Sequence, residues 1–397
     1  MKIFSNYFDN SFEKLAHTFL SKNKYGSIKV IFPSKKFYIF KGYEEGYEAD
    51  VRLNNYNLFY KLLRKGSVGF AESYMDDDFE TSNLSKLLLF ARQNELSYLN
   101  QKKAKWFHNF IIKIQHYMKK NTKIGSKKNI SHHYDLGNNF YKQWLDKSMT
   151  YSSGLFEQSS DDLYKAQLNK YIGIAEPLKL NDQSKLLEIG CGWGGFSTFV
   201  AKKYGANVKA ITISKEQFNF ASEKIASEGL NEKISIEMRD YRDIKDQYKN
   251  IVSIEMFEAV GKQYWLQFFD KIKSSLTNDG LATMQIITIE ENRANYYQSN
   301  PDFIQQYIFP GGVLPSKKQL STITTLLGLK LNEYKNFQQS YAKTLELWNK
   351  KFQDSWTHIS QQGYSLRFKR MWEYYLCYCQ AGFISGSTDV SQFIIKK

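Results

Sequence analysis

Leu186-Leu187-Glu188-Ile189-Gly190-Cys191-Gly192-Trp193-Gly194-Gly195-Phe196-Ser197 is the stretch whose reading decides the fold. Its apolar start predicts a buried parallel strand. The glycines that follow let the backbone turn sharply and approach a ligand where a side chain would collide. A nucleotide-like cofactor is expected on this turn. Gly190, Gly192 and Gly195 satisfy the dinucleotide spacing G-x-G-x-x-G, so the glycines alone leave a nicotinamide cofactor and a purely structural turn open. A dinucleotide site wants an acid about 20 residues on, at the end of the second strand, to hold a ribose. Ala210-Ile211-Thr212-Ile213-Ser214 stands there instead.

A chain of 397 residues with 42% hydrophobic and 16% aromatic residues is long and apolar enough for two domains with sizeable cores. No stretch reaches the about 18 uninterrupted apolar residues of a spanning helix, and Met1-Lys2-Ile3-Phe4-Ser5-Asn6 lacks a signal peptide's apolar region. A cytoplasmic location is expected. Only Cys191, Cys377 and Cys379 are present, without the paired spacing of a zinc site, so no metal is expected.

The net charge is +15, and residues 1–130 hold 23 Lys plus Arg against 12 Asp plus Glu. This front half suits a polyanionic surface, either lipid headgroups or nucleic acid, although a lysine-rich genome gives the same bias. Residues 102–128 carry nine lysines and no acid, with Trp106, Phe107, Phe110, Ile111, Ile114, Tyr117 and Met118 between them. That is the pattern of a basic amphipathic helix lying in a membrane interface, or of a linker helix packed on the protein with its lysines solvated. The absence of a nucleic-acid motif favours the membrane over nucleic acid as partner.

The periodicity predicts a helix over 4–24, short strands at 27–33, 37–40 and 47–53, and a helix from Leu58 that stops at Lys65-Gly66. Asp76-Asp77-Asp78 lacks calcium-loop spacing and reads as a solvated turn or helix cap. From residue 160 helices and strands alternate, with strands at 208–214, 234–238, 251–255 and 281–289 and helices at 215–228 and 264–276. Such alternation predicts an α/β doubly wound, Rossmann-like sheet whose strand ends gather the ligand. The expected domains are 1–125, small and α+β with the basic amphipathic helix, and 126–397.

Glu188, two residues before the first glycine, is similar to the acid that opens the turn of S-adenosylmethionine methyltransferases. Further strings narrow the resemblance: His133-Tyr134-Asp135-Leu136-Gly137-Asn138-Asn139-Phe140-Tyr141, Met149-Thr150-Tyr151-Ser152-Ser153, Met256-Phe257-Glu258-Ala259-Val260-Gly261 and Tyr307-Ile308-Phe309-Pro310-Gly311-Gly312-Val313-Leu314-Pro315-Ser316. With Tyr341-Ala342-Lys343-Thr344-Leu345 and the segment 374–379, they resemble the cyclopropane fatty acid synthases, including the mycolic acid cyclopropane synthases, over roughly residues 130–395. The front module resembles the lipid-docking domain of the longer members.

The resemblance implies transfer of a methyl(ene) group from S-adenosylmethionine to the double bond of an unsaturated acyl chain in a membrane phospholipid. An alkene is a poor nucleophile, so a dry pocket must hold it against the methyl donor, and aromatic faces and carboxylates must offset the resulting cation. A base then removes a proton, a task for which the family uses bound bicarbonate. Carried over by position, Glu258 and Tyr341 match bicarbonate-site residues, and Cys379 aligns with a cysteine treated as an active-site residue, although a buried structural thiol fits it equally. Ser153 stands where the family usually has cysteine and Gln285 where it has histidine; both can hydrogen-bond an anion, but the titratable imidazole is lost. For the cofactor the resemblance assigns Tyr151, Ser152, Leu187, Glu188, Gly190, Cys191, Gly192, Trp193, Gly194, Gly195, Thr212, Ile213, Ser214, Gln217, Tyr241 and Arg242. The product is then a cyclopropane, or a methyl- or methylene-branched chain made with a redox partner protein, and a non-catalytic lipid-binding scaffold is the reading from another class. The expected setting is peripheral attachment to the inner face of the cell membrane, with an anionic phospholipid surface as substrate and a homodimer as the oligomer.

Overall fold

The computed structural model describes residues 12–95, 97 and 136–397. The basic stretch 102–128, the boundary at 125/126 and His133 to Asp135 lie outside the described residues, as does the beginning of the helix expected over 4–24, of which 12–20 is helical.

The described residues form two compact units. The first holds a four-stranded sheet of order β2-β1-β3-β4, made by β1 (Tyr25–Ile31), β2 (Phe37–Lys41), β3 (Glu44–Leu53) and β4 (Phe79–Glu80). Alternation along the strands turns Ile28, Val30, Phe40, Val51 and Leu53 inward. Leu84, Leu87 and Leu88 are buried on the helix Leu84–Gln93, which Asn83 caps by accepting from the Lys86 amide at 2.9 Å. Gly66, at φ 56°, kinks the helix that was expected to stop there, but the chain turns helical again and runs on to Met75. Asp76 ends that helix and pairs with Lys61 and Arg367, Asp77 pairs with Arg370, and Asp78 with Lys61, so the acidic run is a cap tied down by ion pairs.

Residues 300–303 and 356–385 also belong to this first unit. The helix Leu366–Ile384 returns to it through Arg367 and Arg370, through Glu373, which accepts from the Tyr74 hydroxyl at 2.9 Å, and through Gln380, which accepts from Ser85 at 2.6 Å. One cut near residue 125 therefore does not divide the chain, because these late residues bury their side chains on the front module.

The second unit is built on a seven-stranded sheet of order β10-β11-β9-β8-β5-β6-β7. Its strands are β5 (Lys185–Ile189), β6 (Asn207–Thr212), β7 (Ile234–Met238), β8 (Tyr248–Ile254), β9 (Leu276–Ile289), β10 (Lys330–Asn336) and β11 (Thr388–Lys396). The strands from β7 to β9 are parallel, and β11 joins β9, and β10 joins β11, antiparallel. The side-chain period of two sends neighbours to opposite faces: Leu187 packs with Trp265, Phe268, Phe269 and Ile272 of the helix Trp265–Ser275, whereas Leu186 packs with Tyr171, Ile174, Phe196 and Val200. Both faces are thus covered, as a doubly wound sheet requires. Chain order reverses between β5 and β8, and the crevice at that switch point is where such sheets bind ligands.

Candidate active site

The glycine turn follows β5, with Gly190, Gly192 and Gly194 all at positive φ. At Gly192, φ is 54° and an added Cβ would meet no atom within 4 Å, so the turn borders open space. At Gly195 an added Cβ would lie 2.4 Å from the Tyr171 hydroxyl and 3.1 Å from the Thr150 hydroxyl, because the loop 146–153 packs directly on the turn. Gly195 opens the helix Gly195–Tyr204, and the Ser197 amide in its first turn bonds the Glu188 carboxylate. The backbone therefore fits a cofactor laid across Gly192. Cys191 is a buried thiol held well above its ordinary range by burial, Leu187 is a core residue, and Trp193 donates its indole N–H to Asn138 at 2.6 Å.

Glu188 is buried and accepts from the Ser197 hydroxyl; burial pushes its carboxyl up to about 7 against the pull of Ser197 and Lys170. Thr212, Ser214 and Gln217 are bound to one another at the end of β6: Ser214 caps the helix Lys215–Ser227 by accepting from the Gln217 amide, and the Ser214 amide donates to Thr212 at 3.1 Å. Ile213 between them is half-buried. After β7, Arg242 is clamped on Asp240 with contacts of 2.8 and 2.6 Å, and Tyr241 packs edge-on against Phe268. The residues expected to receive a cofactor thus line the ends of three adjacent strands, with Asp240 as an acid the sequence reading passed over.

The central cluster stands beyond β8. Glu255 is a residue that the sequence reading did not select, and it has a left-handed φ of 48°. Its Oε1 accepts from the Ser153 main-chain amide at 2.9 Å and from the Gln285 side chain at 2.6 Å, and its Oε2 accepts from the Tyr341 hydroxyl at 2.6 Å. Ser153, Gln285 and Tyr341, the groups expected around bicarbonate, therefore meet on a carboxylate of the chain itself. The Ser153 hydroxyl turns away to the Gly154 carbonyl at 2.8 Å, so its replacement of cysteine leaves the amide contact untouched. Tyr341, expected with Glu258 around bicarbonate, touches Glu255. Glu258 lies apart, accepting from the Ile287 amide at 2.6 Å on Oε1, while its buried Oε2 has no hydrogen-bond partner. Burial and then the charge of Glu255 push Glu258 up to about 8.

Tyr151 completes the site from the aromatic side, 5.5 Å from Trp144, 5.5 Å from Tyr141 and 5.3 Å from Trp348 between ring centres. Tyr341 also packs edge-on to Trp348. Ser152, next to it, accepts from Lys170 at 2.7 Å. Cys379 sits on the helix Leu366–Ile384 of the first unit, where burial pushes its thiol upward. A strand that ends in Ile254-Glu255 was the one signal that could have revealed Glu255, since acids at strand ends of such sheets face the ligand.

A seven-stranded sheet in this order, a glycine turn bordered by open space and polar groups at three strand ends define an S-adenosylmethionine-dependent methyltransferase. Residues 121–393 match the mycolic acid cyclopropane synthetase family. The chain is 32% identical over 343 residues to the tuberculostearic acid methyltransferase UfaA1 of Mycobacterium tuberculosis, covering 84% of this chain and 80% of that one. It is 34% identical over 353 residues to the cyclopropane-fatty-acyl-phospholipid synthase of Escherichia coli, covering 88% of each. The crystal structure of the mycolic acid cyclopropane synthase CmaA1 with S-adenosylhomocysteine superposes with a TM-score of 0.62 at 29% identity, over 68% of this chain and 98% of that one. The chain belongs to the mycolic acid cyclopropane synthetase family and is an enzyme that uses S-adenosylmethionine to modify lipid.

Proposed function

We propose that the enzyme adds a one-carbon unit to the double bond of an unsaturated acyl chain in a membrane phospholipid, with Glu255 as its base. The observation that carries this is the ring of donors from Ser153, Gln285 and Tyr341 around the Glu255 carboxylate. S-adenosylmethionine supplies an electrophilic methyl group when bound. The aromatic faces of Tyr141, Trp144, Tyr151 and Trp348 suit a positive charge on the acyl chain. Glu255 then accepts the proton that the cationic chain releases, with its three donors fixing the carboxylate's orientation. Proton loss from the added methyl group closes a cyclopropane.

A second product is favoured by the same observation. An anion built into the chain does the work expected of bicarbonate at a fixed point, and proton loss after a hydride shift yields a methylene branch, which a redox partner reduces to a methyl branch. Mass spectrometry and proton NMR of lipids from a host lacking its own synthase separate the two: both gain one CH2, and only the ring gives high-field proton signals. No gain with any acyl composition contradicts the proposal.

We place the enzyme at the inner face of the cell membrane, acting singly or as a homodimer. Phe37 and Ile39 are 59% and 54% exposed on β2, Lys29 sits 5.3 Å over the Phe37 ring, and the chain carries a net charge of +15. A greasy and basic sheet face favours anionic phospholipid. Among the described residues no helix is long and apolar enough to cross a membrane. Flotation with anionic vesicles is expected, and exclusive binding to duplex nucleic acid contradicts it.

A further inference from the structure

We propose that Lys170 is a positioning residue that holds Glu255 ionised and oriented, acting through two hydrogen-bonded arms that both reach that carboxylate. The inference rests on the assignment of Glu255 as base. Lys170 lies on the helix Leu163–Ala175, and the structure buries it completely. A buried ammonium is costly unless it answers a charge or feeds a network, and Lys170 does both.

The first arm runs from its side chain. The ammonium donates to the Ser152 hydroxyl at 2.7 Å, and the next residue's amide, that of Ser153, donates to Glu255 at 2.9 Å. The second arm runs from its main chain. The Lys170 main-chain carbonyl accepts from the Gln392 side chain at 3.2 Å, the same amide donates to the side-chain Oε1 of Gln285 at 3.1 Å, and the Gln285 side chain donates to Glu255 at 2.6 Å. Gln285 and Gln392 are register partners on β9 and β11, so this arm is locked by the sheet. Gln167, one turn before Lys170 on the same helix, fixes the first arm again by donating to the Ser152 carbonyl at 2.9 Å.

The charges agree with the geometry. Burial, the largest effect, pulls Lys170 down to about 7, while Glu255 just after β8, Asp146 from the loop on the glycine turn and Glu188 from β5 draw it towards its charged form; the Tyr171 ring lies 4.5 Å from the ammonium. Burial, the largest effect, pushes the Glu255 carboxyl up, and Tyr341, Ser153, Gln285 and the charge of Lys170 oppose that rise and favour its ionised form. The negative charge of Glu255 raises Glu258. With Lys170 neutralised, Glu255 holds its proton to higher pH, and the base is lost at neutral pH.

The test uses the full-length enzyme with methyl-labelled S-adenosylmethionine and vesicles of monounsaturated phosphatidylglycerol, comparing wild type, Lys170→Met and Lys170→Arg. In Lys170→Met the acid limb of kcat/KM against pH is expected to move up by about one unit or more, with about tenfold less activity at neutral pH that recovers in alkali. Lys170→Arg is expected to keep the wild-type limb. A uniform loss with an unmoved limb overturns the proposal, because a merely structural lysine gives that result. If Lys170→Met does not fold, Lys170→Gln, which keeps a donor for Ser152 without the charge, takes its place. If neither folds, the 13C carboxyl resonance of Glu255 in the wild-type protein decides: ionised at neutral pH supports the proposal, protonated contradicts it. A wild-type enzyme that transfers no label overturns the functional assignment instead, and the carboxyl resonance still tests Lys170.

Discussion

Tyr341 donates its phenol hydroxyl to Oε2 of Glu255 at 2.6 Å across 86 residues of sequence. A hydrogen bond to a buried carboxylate contributes about 1.5 to 3 kcal/mol. Tyr341→Phe keeps the ring against Trp348 and removes that bond. It is expected to lower methyl transfer roughly ten- to a hundredfold, the factor to which that energy corresponds, with binding of S-adenosylhomocysteine unchanged by calorimetry. Equal activity in the variant contradicts the role given to Glu255.

Glu258 is pushed up to about 8, from an ordinary 4.5, by burial and then by Glu255. Its folded state prefers the neutral acid, so its contribution to stability is fully present below the ordinary value and is lost as pH rises through the raised one. Glu188, held at about 7, acts in the same direction. Thermal unfolding of the ligand-free enzyme is expected to move to lower temperature between about pH 5 and about pH 9, with Glu258 contributing on the order of a few kcal/mol. Glu258→Gln is expected to flatten that decline, and an equally steep decline in the variant contradicts the burial argument.

The glycine turn separates stability from binding. Gly192→Ala meets no atom within 4 Å but places a side chain at φ 54°, so it is expected to cost about 1 kcal/mol of stability while abolishing the heat of S-adenosylhomocysteine binding. Gly195→Ala, whose Cβ would fall 2.4 Å from the Tyr171 hydroxyl, is expected to lower the melting temperature more. Unchanged cofactor affinity in Gly192→Ala contradicts the placement of the cofactor.

Cys379 is held by the first unit, and burial raises its thiol, with the charges of Asp302 and Cys377 adding to the rise. A thiol held protonated is a poor nucleophile, so Cys379→Ala is expected to keep methyl transfer within about twofold of wild type. Loss of activity in a variant with an unchanged melting temperature contradicts this.

Much of the fold is legible in the sequence because local pattern decides it. The strand expected at 234–238 is β7 itself, Ile234–Met238, and the glycine turn stands where its spacing puts it. Tertiary partners decide the rest. Arg367 meets Asp76 across 291 residues, so no local pattern could assign the helix Leu366–Ile384 to the front module. The candidate site was legible by membership and not by geometry: Ser153, Gln285 and Tyr341 were selected, but their meeting point was not. Glu255 escaped because its left-handed backbone, which costs of order 1 kcal/mol for a residue other than glycine, is visible only in the folded chain. Ser153 misled in a similar way, since its amide rather than its hydroxyl makes the contact.

The central claim, that Glu255 serves as a built-in base, is tested most directly by methyl transfer in buffer stripped of carbon dioxide, with and without added bicarbonate. The enzyme is assayed on monounsaturated phospholipid vesicles with methyl-labelled S-adenosylmethionine, beside Glu255→Gly. The account expects wild-type transfer to be indifferent to bicarbonate, and the Glu255→Gly enzyme to be inactive until bicarbonate refills the place among Ser153, Gln285 and Tyr341. Wild-type transfer that requires bicarbonate, or a Glu255→Gly enzyme as active as wild type without it, contradicts the account.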